Sequence, residues 1–268
     1  MQGKGVKQVT AQEIRTGLKT AWAGRQIICL DSVDSTNHYA RGIAAQGAAH
    51  GTLVTAAVQT AGRGRRGRSW ISPQGDGIFM TLIVRPDVPP SQIASLSLLT
   101  ALAAARAIRR ETGLEAKIKW PNDIVVSGRK VCGMLLEMDA DAQRVHSVAA
   151  GIGINVHQQA FDEEIAHTAS SLDLLSGKRQ SRAAIVRAFL EEFEKAYEQE
   201  SPGEIMRAYR AHSATIAQRV QVIAPDRTFT GTAGDITDSG SLLVTDEGGE
   251  VHEVLAGDVS VRGIMGYV

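Results

Sequence analysis

The sequence has little of what disulfide-bonded, exported or membrane-spanning proteins are built from. Its two cysteines, Cys29 and Cys132, are far apart and each lies beside apolar residues. This pattern suits buried, reduced thiols better than a disulfide framework or a CxxC redox or metal pair. No stretch reaches the about 18 consecutive apolar residues of a membrane-spanning helix, and no apolar run follows the N-terminal lysines. We therefore expect a cytoplasmic protein that makes no membrane contact.

The sequence also lacks an excess of charge of either sign. Lysine plus arginine and aspartate plus glutamate number 29 each, and aromatic residues make up only 4%. The whole chain therefore has no field that attracts nucleic acid or anionic lipid, and any basic function has to be local. Several enzyme signatures are absent as well: GxSxG, HExxH, a Walker A loop, a complete dinucleotide fingerprint, and metal-ligand spacing among the seven histidines.

What is present is the patterning of a globular α+β protein. Hydrophobic residues make up 43% and charged residues 22% of the 268 residues, which suits one large domain or a large and a small one. Apolar β-rich runs predict a mixed, largely antiparallel sheet backed by helices. The predicted helices span 10–19, 91–111, 182–199 and 205–212, and the predicted strands 27–30, 53–58, 78–84, 117–120, 123–126, 130–138 and 145–156.

The C-terminal part of the chain changes in character and predicts a second unit. Short apolar runs alternate there with glycine-containing turns, which favours a small β-barrel. We predict a large α+β domain over residues 1–215 and a small SH3-like β-barrel over residues 216–268. The strands of the barrel are predicted at 220–223, 229–232, 241–245 and 250–255.

Four arginines and three glycines lie between two predicted strands, in residues 59–70. Guanidinium groups match the oxygens of phosphates and carboxylates, and glycines let the backbone approach an anion closely. The segment therefore predicts a site for an anionic ligand. Two alternatives stay open from these residues alone: a solvated basic loop, and an RGG-like contact with nucleic acid.

Five segments of the chain form a recognisable set by their order and spacing. They are DSTN at 34–37, the loop at 59–70, KWPND at 119–123, RKVCGMLLE at 129–137 and GIGIN at 151–155. Together they resemble the biotin protein ligases, strongly over residues 26–160, and the long helix and C-terminal barrel resemble the rest of that family. The resemblance implies a class II synthetase-like catalytic domain. Thr60, Ser69 and Cys132 differ from residues common in the family, but none of these departures removes a charged group.

The resemblance implies a two-step reaction that uses biotin, ATP and Mg²⁺. The biotin carboxylate attacks the α-phosphate of ATP to give biotinyl-5′-AMP and pyrophosphate. A lysine of a biotin carboxyl carrier protein, or of the carrier domain of a biotin-dependent carboxylase, then takes the biotinyl group. Attack joins two anions, so fixed cations are needed where negative charge develops. The cations available are Arg63, Arg65, Arg66, Arg68 and Lys130.

The resemblance also assigns site residues by position. Lys130, Arg65 and Arg66 are the expected catalytic residues, with Lys130 touching the biotin carboxylate and the α-phosphate. The metal ligand is not predicted, and Asp123 is open to hold either metal or the acceptor lysine. The biotin site is expected to contain Ser35, Thr36, Asn37, Gln59, Arg63, Gly64, Arg65, Lys130 and Gly133, and the nucleotide site Arg66, Arg68, Trp70, Asn122, Asp123 and Asn155.

Each of these segments also has a purely structural interpretation. Residues 34–37 are typical of a helix N-cap, and Lys130 beside a Ser-Gly turn is typical of a surface lysine. Residues 119–123 suit a hairpin corner around a buried tryptophan. The glycines of 151–153 suit a packed strand with a bulge, although they also leave room for a ligand.

Two other functions compete with the biotin protein ligase interpretation. A nucleic-acid-binding module would use the loop at 59–70, but the chain lacks net positive charge and interleaved aromatics. A lipoate or octanoyl transferase shares the architecture by family analogy, but the loop signature associated with those enzymes is absent. Only 34 residues precede Ser35, so we also expect no helix-turn-helix and no binding of nucleic acid. The oligomeric state, monomer or homodimer, is open.

Overall fold

The chain forms two sheets, which confirms the predicted α+β class. A computed structural model shows a seven-stranded mixed sheet flanked by helices and a five-stranded antiparallel sheet. The ends of the two predicted domains, residues 1–8 and 264–268, lie outside the described part of the chain. The described residues are 9–71, 73, 75–224, 227–256 and 260–263.

The large sheet is antiparallel except at one edge. Its strands are β1 (Ile27–Val33), β2 (Leu53–Gln59), β3 (Gly77–Val84), β4 (Lys117–Lys119), β5 (Asp123–Val126), β6 (Arg129–Ala140) and β7 (Val145–Asn155). They lie in the order β1-β2-β3-β7-β6-β5-β4, and β1 and β2 run parallel. The hairpin corner within residues 119–123 joins β4 to β5, and the turn at Ser127 and Gly128 joins β5 to β6. Both pairs of strands are antiparallel. Ser127 and Gly128 in the second turn have φ of 50° and 72°, the conformation that two-residue hairpins favour.

Helices cover both faces of this sheet. They are α1 (Ala11–Arg15), α2 (Thr36–Ala45), α3 (Ile93–Thr112), α4 (Leu172–Ser176), α5 (Arg182–Gln199) and α6 (Pro202–Ala211), with short 3-10 turns at Arg65–Gly67 and Pro90–Gln92. Alternate strand residues face opposite sides of a sheet. Leu53 and Leu82 therefore join the large core with α3 and α5, while Val54 and Ile83 join a smaller core beneath α2.

The sequence predicts four of these helices and not the other two. The capping box at Thr10 is present, but α1 ends at Arg15 rather than near residue 19, because Gly17 takes a φ of 83°. The helix α3 ends at Gly113, whose φ is 73°. The sequence marks only the N-terminal end of α2, and α4 is too short to show an apolar period.

The second sheet packs against the turn between β4 and β5. Its strands are β8 (Arg219–Ile223), β9 (Thr228–Ile236), β10 (Leu242–Asp246), β11 (Val251–Val254) and β12 (Ser260–Gly263), in the order β11-β10-β9-β8-β12. The Trp120 indole Nε1 donates to the Gly240 carbonyl at 2.9 Å, and Lys119 Nζ donates to the Val261 carbonyl at 3.1 Å. This second sheet therefore takes part in one wall of the cavity described next.

The sequence predicts neither a disulfide framework nor a membrane-spanning helix. Cys29 and Cys132 are both free; Cys132 is buried as predicted, whereas Cys29 is only partly buried. Among the described residues, every helix is too short or too polar to cross a bilayer.

Candidate active site

A cavity of about 600 Å³ opens between the large sheet, the loop at 63–70 and strand β12. Every predicted site residue except Asn155 lines it. Asn155 is buried, and its Nδ2 donates to the Ser170 carbonyl at 3.2 Å. The predicted residues that line the cavity are Ser35, Thr36, Asn37, Gln59, Arg63, Gly64, Arg65, Arg66, Arg68, Trp70, Asn122, Asp123, Lys130 and Gly133. The fold thus brings them together, while their individual roles stay predictions.

The N-terminus of α2 forms one end of the cavity. Ser35 occupies the N-cap position, but its side chain makes no capping hydrogen bond, so the helix-cap interpretation holds for its position only. The backbone N–H and the hydroxyl of Thr36 both donate to Gln59 Oε1, at 2.8 and 3.0 Å. Because these bonds turn Oε1 toward Thr36, the Gln59 amide presents its nitrogen, which is a donor, on its other side.

Asn37 packs directly on the sheet beside this end of the cavity. Its Nδ2 donates to the Leu135 carbonyl at 3.0 Å and to Glu137 Oε2 at 2.9 Å. A Cβ added at Gly151 would lie 2.0 Å from Asn37 Oδ1. Gly151 therefore makes room for a side chain of the protein. Strand β7 keeps its register with both neighbours through residues 151–153, so the predicted alternative of a bulge there is wrong.

The loop of arginines and glycines folds back on itself as a tight hairpin. The Gly64 N–H donates to the Arg68 carbonyl at 2.7 Å, and Arg63 pairs with Ser69 in an isolated bridge. Arg66 at the tip has a φ of 57°, a strained value for a residue with a side chain. These bonds give the loop a compact shape beside the cavity.

Arg65 joins this loop to two other parts of the molecule. Its Nη1 donates to Asn122 Oδ1 at 3.0 Å, and its other terminal nitrogen donates to the carbonyl of Ala256, just beyond β11. Asn122 in turn donates through Nδ2 to the Met134 carbonyl at 2.6 Å. The interpretation of a solvated loop therefore does not describe Arg65.

The indole of Trp70 lies over two glycines of the sheet. Gly133 and Gly153 are cross-strand partners on β6 and β7. A Cβ at these positions would lie 2.8 and 2.5 Å from the Trp70 ring. The missing side chains thus let a flat aromatic surface lie close to the sheet inside the cavity, a surface suited to stacking with a planar base.

Lys130 is a fixed cation in the cavity. Its Nζ lies 2.7 Å from Asp123 Oδ1 and 5.4 Å from the centroid of the Trp70 ring. Its backbone is held on both sides, because its N–H donates to the Thr168 carbonyl at 2.7 Å and the Ser170 N–H donates to its carbonyl at 3.0 Å. Its side chain is only 27% exposed. The interpretation of Lys130 as a surface lysine is therefore wrong.

Lys119 is a second cavity lysine, which the sequence does not single out. It is 7% exposed. The pKa of Lys119 is lowered to about 8, chiefly by burial; Asp123 opposes this shift, and the positive charges of Lys130, Arg68 and Arg262 add to it. The signal available in the sequence is a charged residue between the apolar Ile118 and Trp120. A lysine at such a position is either exposed or held in a polar site.

Two walls of the cavity have no sequence signal. One is a loop joined to Lys130 through its backbone, and the other is β12. Both are placed by contacts between residues distant in the chain. The carboxylates in the lining are Asp123 and Glu164. In the described part of the chain, a cluster with metal-ligand spacing occurs at Asp246, Glu250 and His252, outside the lining. The residues of the two walls are Glu164, Ile165, His167, Thr168, Val261, Arg262 and Gly263.

Comparison with known proteins agrees with this geometry. The model of the biotin/lipoate A/B protein ligase family matches residues 29–155, and the model of the biotin protein ligase C-terminal domain matches residues 215–262. The bifunctional ligase/repressor BirA of Bacillus spizizenii is 39% identical over 261 residues, which are 95% of this chain and 79% of that one. The biotin–[acetyl-CoA-carboxylase] ligase of Mycobacterium tuberculosis is 36% identical over 255 residues, 91% of each chain.

Solved structures of biotin protein ligases match the fold of this chain. The biotin protein ligase from Aquifex aeolicus in complex with biotin and ATP is 28% identical, with a TM-score of 0.74 over 89% of this chain and 99% of that one. The biotin protein ligase from Leishmania major in complex with biotinyl-5-AMP shares the fold, with a TM-score of 0.62. Sequence identity, coverage and site geometry agree: this chain belongs to the biotin protein ligase family.

Proposed function

We propose that the chain activates biotin with ATP to biotinyl-5′-AMP and transfers the biotinyl group to a lysine of a biotin carboxyl carrier protein. The observation that carries the proposal is the position of Lys130. It lies in one cavity with the hydrogen-bonding groups around Thr36 and Gln59 and with the arginines of the loop. A carboxylate substrate and a nucleotide phosphate can meet only where such cations are fixed.

The groups at the N-terminus of α2 are proposed to bind the head of biotin. The urea-like ring of biotin has two N–H donors and one carbonyl acceptor, so it needs both kinds of partner in a small site. The Thr36 hydroxyl supplies an acceptor lone pair, and the Gln59 amide nitrogen supplies a donor. Ser35, buried beside them, adds a second hydroxyl. Both amide hydrogens of Asn37 are used within the protein, so Asn37 can offer biotin only its oxygen.

The first step is proposed to run across the cations of the cavity. A biotin carboxylate oxygen forms a bond to the α-phosphorus, and the bond from that phosphorus to the bridging oxygen breaks, so that pyrophosphate leaves with its electron pair. Negative charge grows on the phosphoryl oxygens, and fixed cations stabilise it because they need no reorganisation. Lys130 is proposed to touch the carboxylate and the phosphate, with Arg65 and Arg66 beside it.

ATP is proposed to bind as its magnesium complex. Mg²⁺ prefers one or two carboxylates together with substrate phosphates and waters. The lining fits that requirement, since it contains the carboxylates of Asp123 and Glu164. Trp70 offers a face for the adenine, and Arg68 and Asn122 line the same region. Asn155 would act from outside the lining, through its bond to the Ser170 carbonyl.

The second step is proposed to use the same cavity. The amine of the carrier lysine attacks the biotinyl carbonyl of the mixed anhydride, an amide bond forms, and AMP leaves. Arg65 is proposed to close over the adenylate, because it joins the loop to the carbonyl of Ala256. We also propose a catalytic unit over residues 1–215 and a C-terminal unit over residues 216–268.

A pyrophosphate-exchange assay tests the proposal. The chain is incubated with ATP, Mg²⁺ and labelled pyrophosphate, with biotin, lipoate or neither. We expect label to enter ATP only with biotin. Transfer is then followed on a carrier domain and on the same domain with its acceptor lysine changed to arginine. Exchange with lipoate alone would point to a lipoate enzyme, and exchange with neither substrate would contradict the proposal.

A further inference from the structure

A buried hydroxyl outside the cavity supports its polar end. Thr81 lies on β3 and is fully buried, with an exposed fraction of 0%. Its Oγ1 is 2.7 Å from Asn37 Oδ1 and 2.9 Å from Thr36 Oγ1. We propose, resting on the proposed function, that Thr81 is a positioning residue of the biotin site. It fixes the hydrogen-bond polarity of Thr36 and thereby the affinity for the urea-like head of biotin.

The orientation of Asn37 determines where the Thr81 hydrogen goes. The two amide hydrogens of Asn37 lie on the Leu135 carbonyl and the Glu137 carboxylate, which can only accept. Its oxygen therefore faces Thr81, whose hydroxyl directs its single hydrogen toward that oxygen and toward the Thr36 oxygen. Glu137 is itself held by Arg41, 3.2 Å away. The chain of polar groups thus has a charged anchor at one end.

The hydrogen bonds of Gln59 and Thr81 also fix the direction of the Thr36 hydroxyl hydrogen. The Thr36 hydroxyl gives its single hydrogen to Gln59 Oε1 at 3.0 Å. The Thr81 hydroxyl, 2.9 Å away, is a donor toward the Thr36 oxygen and offers the Thr36 hydrogen no alternative acceptor. No hydrogen of Thr36 is therefore left for the cavity. Thr36 presents only a lone pair there, which matches a ring N–H of biotin and repels a group that offers an acceptor at that point.

Replacing Thr81 by valine removes the hydroxyl and keeps the shape of the side chain. The Asn37 oxygen then lacks its donor, and the Thr36 oxygen loses the donor that holds it in place beside Gln59. We expect the KM for biotin to rise about tenfold, as is typical when a buried hydrogen-bond partner is lost. The kcat at saturating biotin and the KM for ATP should stay within about twofold, since the network touches neither ATP nor the reacting atoms.

Two further variants separate positioning from stability. Thr81→Ser restores the hydroxyl and should restore the KM for biotin. Thr55→Val is the matched control, because Thr55 is a buried hydroxyl on the neighbouring strand β2. Its hydroxyl donates to the Phe79 carbonyl at 3.1 Å, outside the network. We expect it to lower the melting temperature about as much as Thr81→Val does, without changing the KM for biotin. If Thr81→Val does not fold, Thr81→Cys carries the test, since a thiol is only a weak donor.

The kinetic measurement is biotin-dependent pyrophosphate exchange, read with thermal unfolding of every variant. A rise in the KM for biotin confined to Thr81→Val and Thr81→Cys supports the inference. A normal KM in these variants, or an equal rise in Thr55→Val, overturns it while leaving the proposed function intact. Wild-type protein without biotin-dependent exchange would overturn the proposed function and this inference together.

Discussion

The ammonium group of Lys130 lies 2.7 Å from Asp123 Oδ1, at the face of the Trp70 ring. Both side chains are largely buried, so solvent screens this pair little. In the proposed first step, a biotin carboxylate and a phosphate would have to compete with Asp123 for this cation. Loss of Lys130 should therefore affect the reaction more than it affects binding.

Lys130→Ala should reduce biotin-dependent pyrophosphate exchange about 100-fold or more, as is typical for loss of one group that stabilises developing charge. Biotin affinity, measured by calorimetry without ATP, should fall much less, because the ring-binding groups around Thr36 remain. Lys178→Ala is the control, since Lys178 is an exposed lysine outside the cavity. An exchange rate in Lys130→Ala equal to that of the wild type would contradict the role of Lys130.

Much of this cavity is foreseeable from the sequence, because its parts are short contiguous motifs. KWPND and the following lysine occupy two adjacent hairpins, and neighbouring strands keep such residues close. The loop over 164–168 and strand β12 are not foreseeable in this way. The loop reaches Lys130 through a backbone bond, and β12 accepts a bond from the Lys119 side chain; both join residues distant in the chain. No local periodicity encodes such contacts.

The difference between local patterns and long-range contacts also explains which helices can be predicted from the sequence. Long apolar stripes predict α3 and α5, whereas α2 packs a small alanine-rich face on the sheet. Its N-terminal residues are recognisable only as capping types. The role of Thr81 is equally hidden, since a threonine in a strand is common and only its contact with Asn37 distinguishes it.

The buried amine of Lys119 predicts a pH-dependent stability. The pKa of Lys119 in the fold is about 8 against an ordinary 10.5, so between these values the unfolded chain binds the proton that the native chain has released. The free energy of unfolding therefore rises with pH across this window. In Lys119→Met the group is gone. The unfolding free energy of the wild type minus that of the variant should thus increase between pH 8 and 10.5 in urea titrations.

If the difference in unfolding free energy between the wild type and Lys119→Met stays constant between pH 8 and 10.5, the pKa of Lys119 is not lowered in the fold. His50→Gln is a useful control, because burial lowers the pKa of His50 below its ordinary 6.5, and its effect must appear at lower pH. The positive charge of Lys119 also lines the cavity, so wild-type exchange should decline above about pH 8. The exchange rate of Lys119→Met should lack that decline.

Arg65→Gly should form biotinyl-5′-AMP but release it. The guanidinium ties the loop to Asn122 and to the carbonyl of Ala256, and glycine removes both bonds while tolerating any loop conformation. A reactive adenylate is protected only while the cavity is closed. We expect biotin to appear on lysines of an added bystander protein, detected by streptavidin blotting. Arg144→Gly, in the exposed turn between β6 and β7, should label only the carrier.

The loop itself should change its accessibility when substrates bind. Trypsin can cut after the arginines at 63, 65, 66 and 68, most of which are exposed. Biotin with ATP should slow cleavage at these sites, because phosphate and carboxylate oxygens pair with the guanidinium groups and hold the loop closed. Mass spectrometry of the fragments measures this, with cleavage after Arg144 as the internal standard. Equal rates with and without substrates would argue against closure.

Gly151→Ala should impair biotin binding through Asn37. The added Cβ would lie 2.0 Å from Asn37 Oδ1 and 2.7 Å from its Cγ, so the amide must leave its bonds to Leu135 and Glu137. We expect a loss of about 2 kcal/mol in unfolding free energy, typical of buried polar groups left unpaired, and a KM for biotin raised about tenfold. Gly234→Ala on β9 is the matched control, since its Cβ would have its nearest neighbour at 3.8 Å. Urea unfolding and pyrophosphate exchange measure the two effects. Wild-type affinity for biotin in Gly151→Ala would show that the placement of Asn37 does not matter to the site.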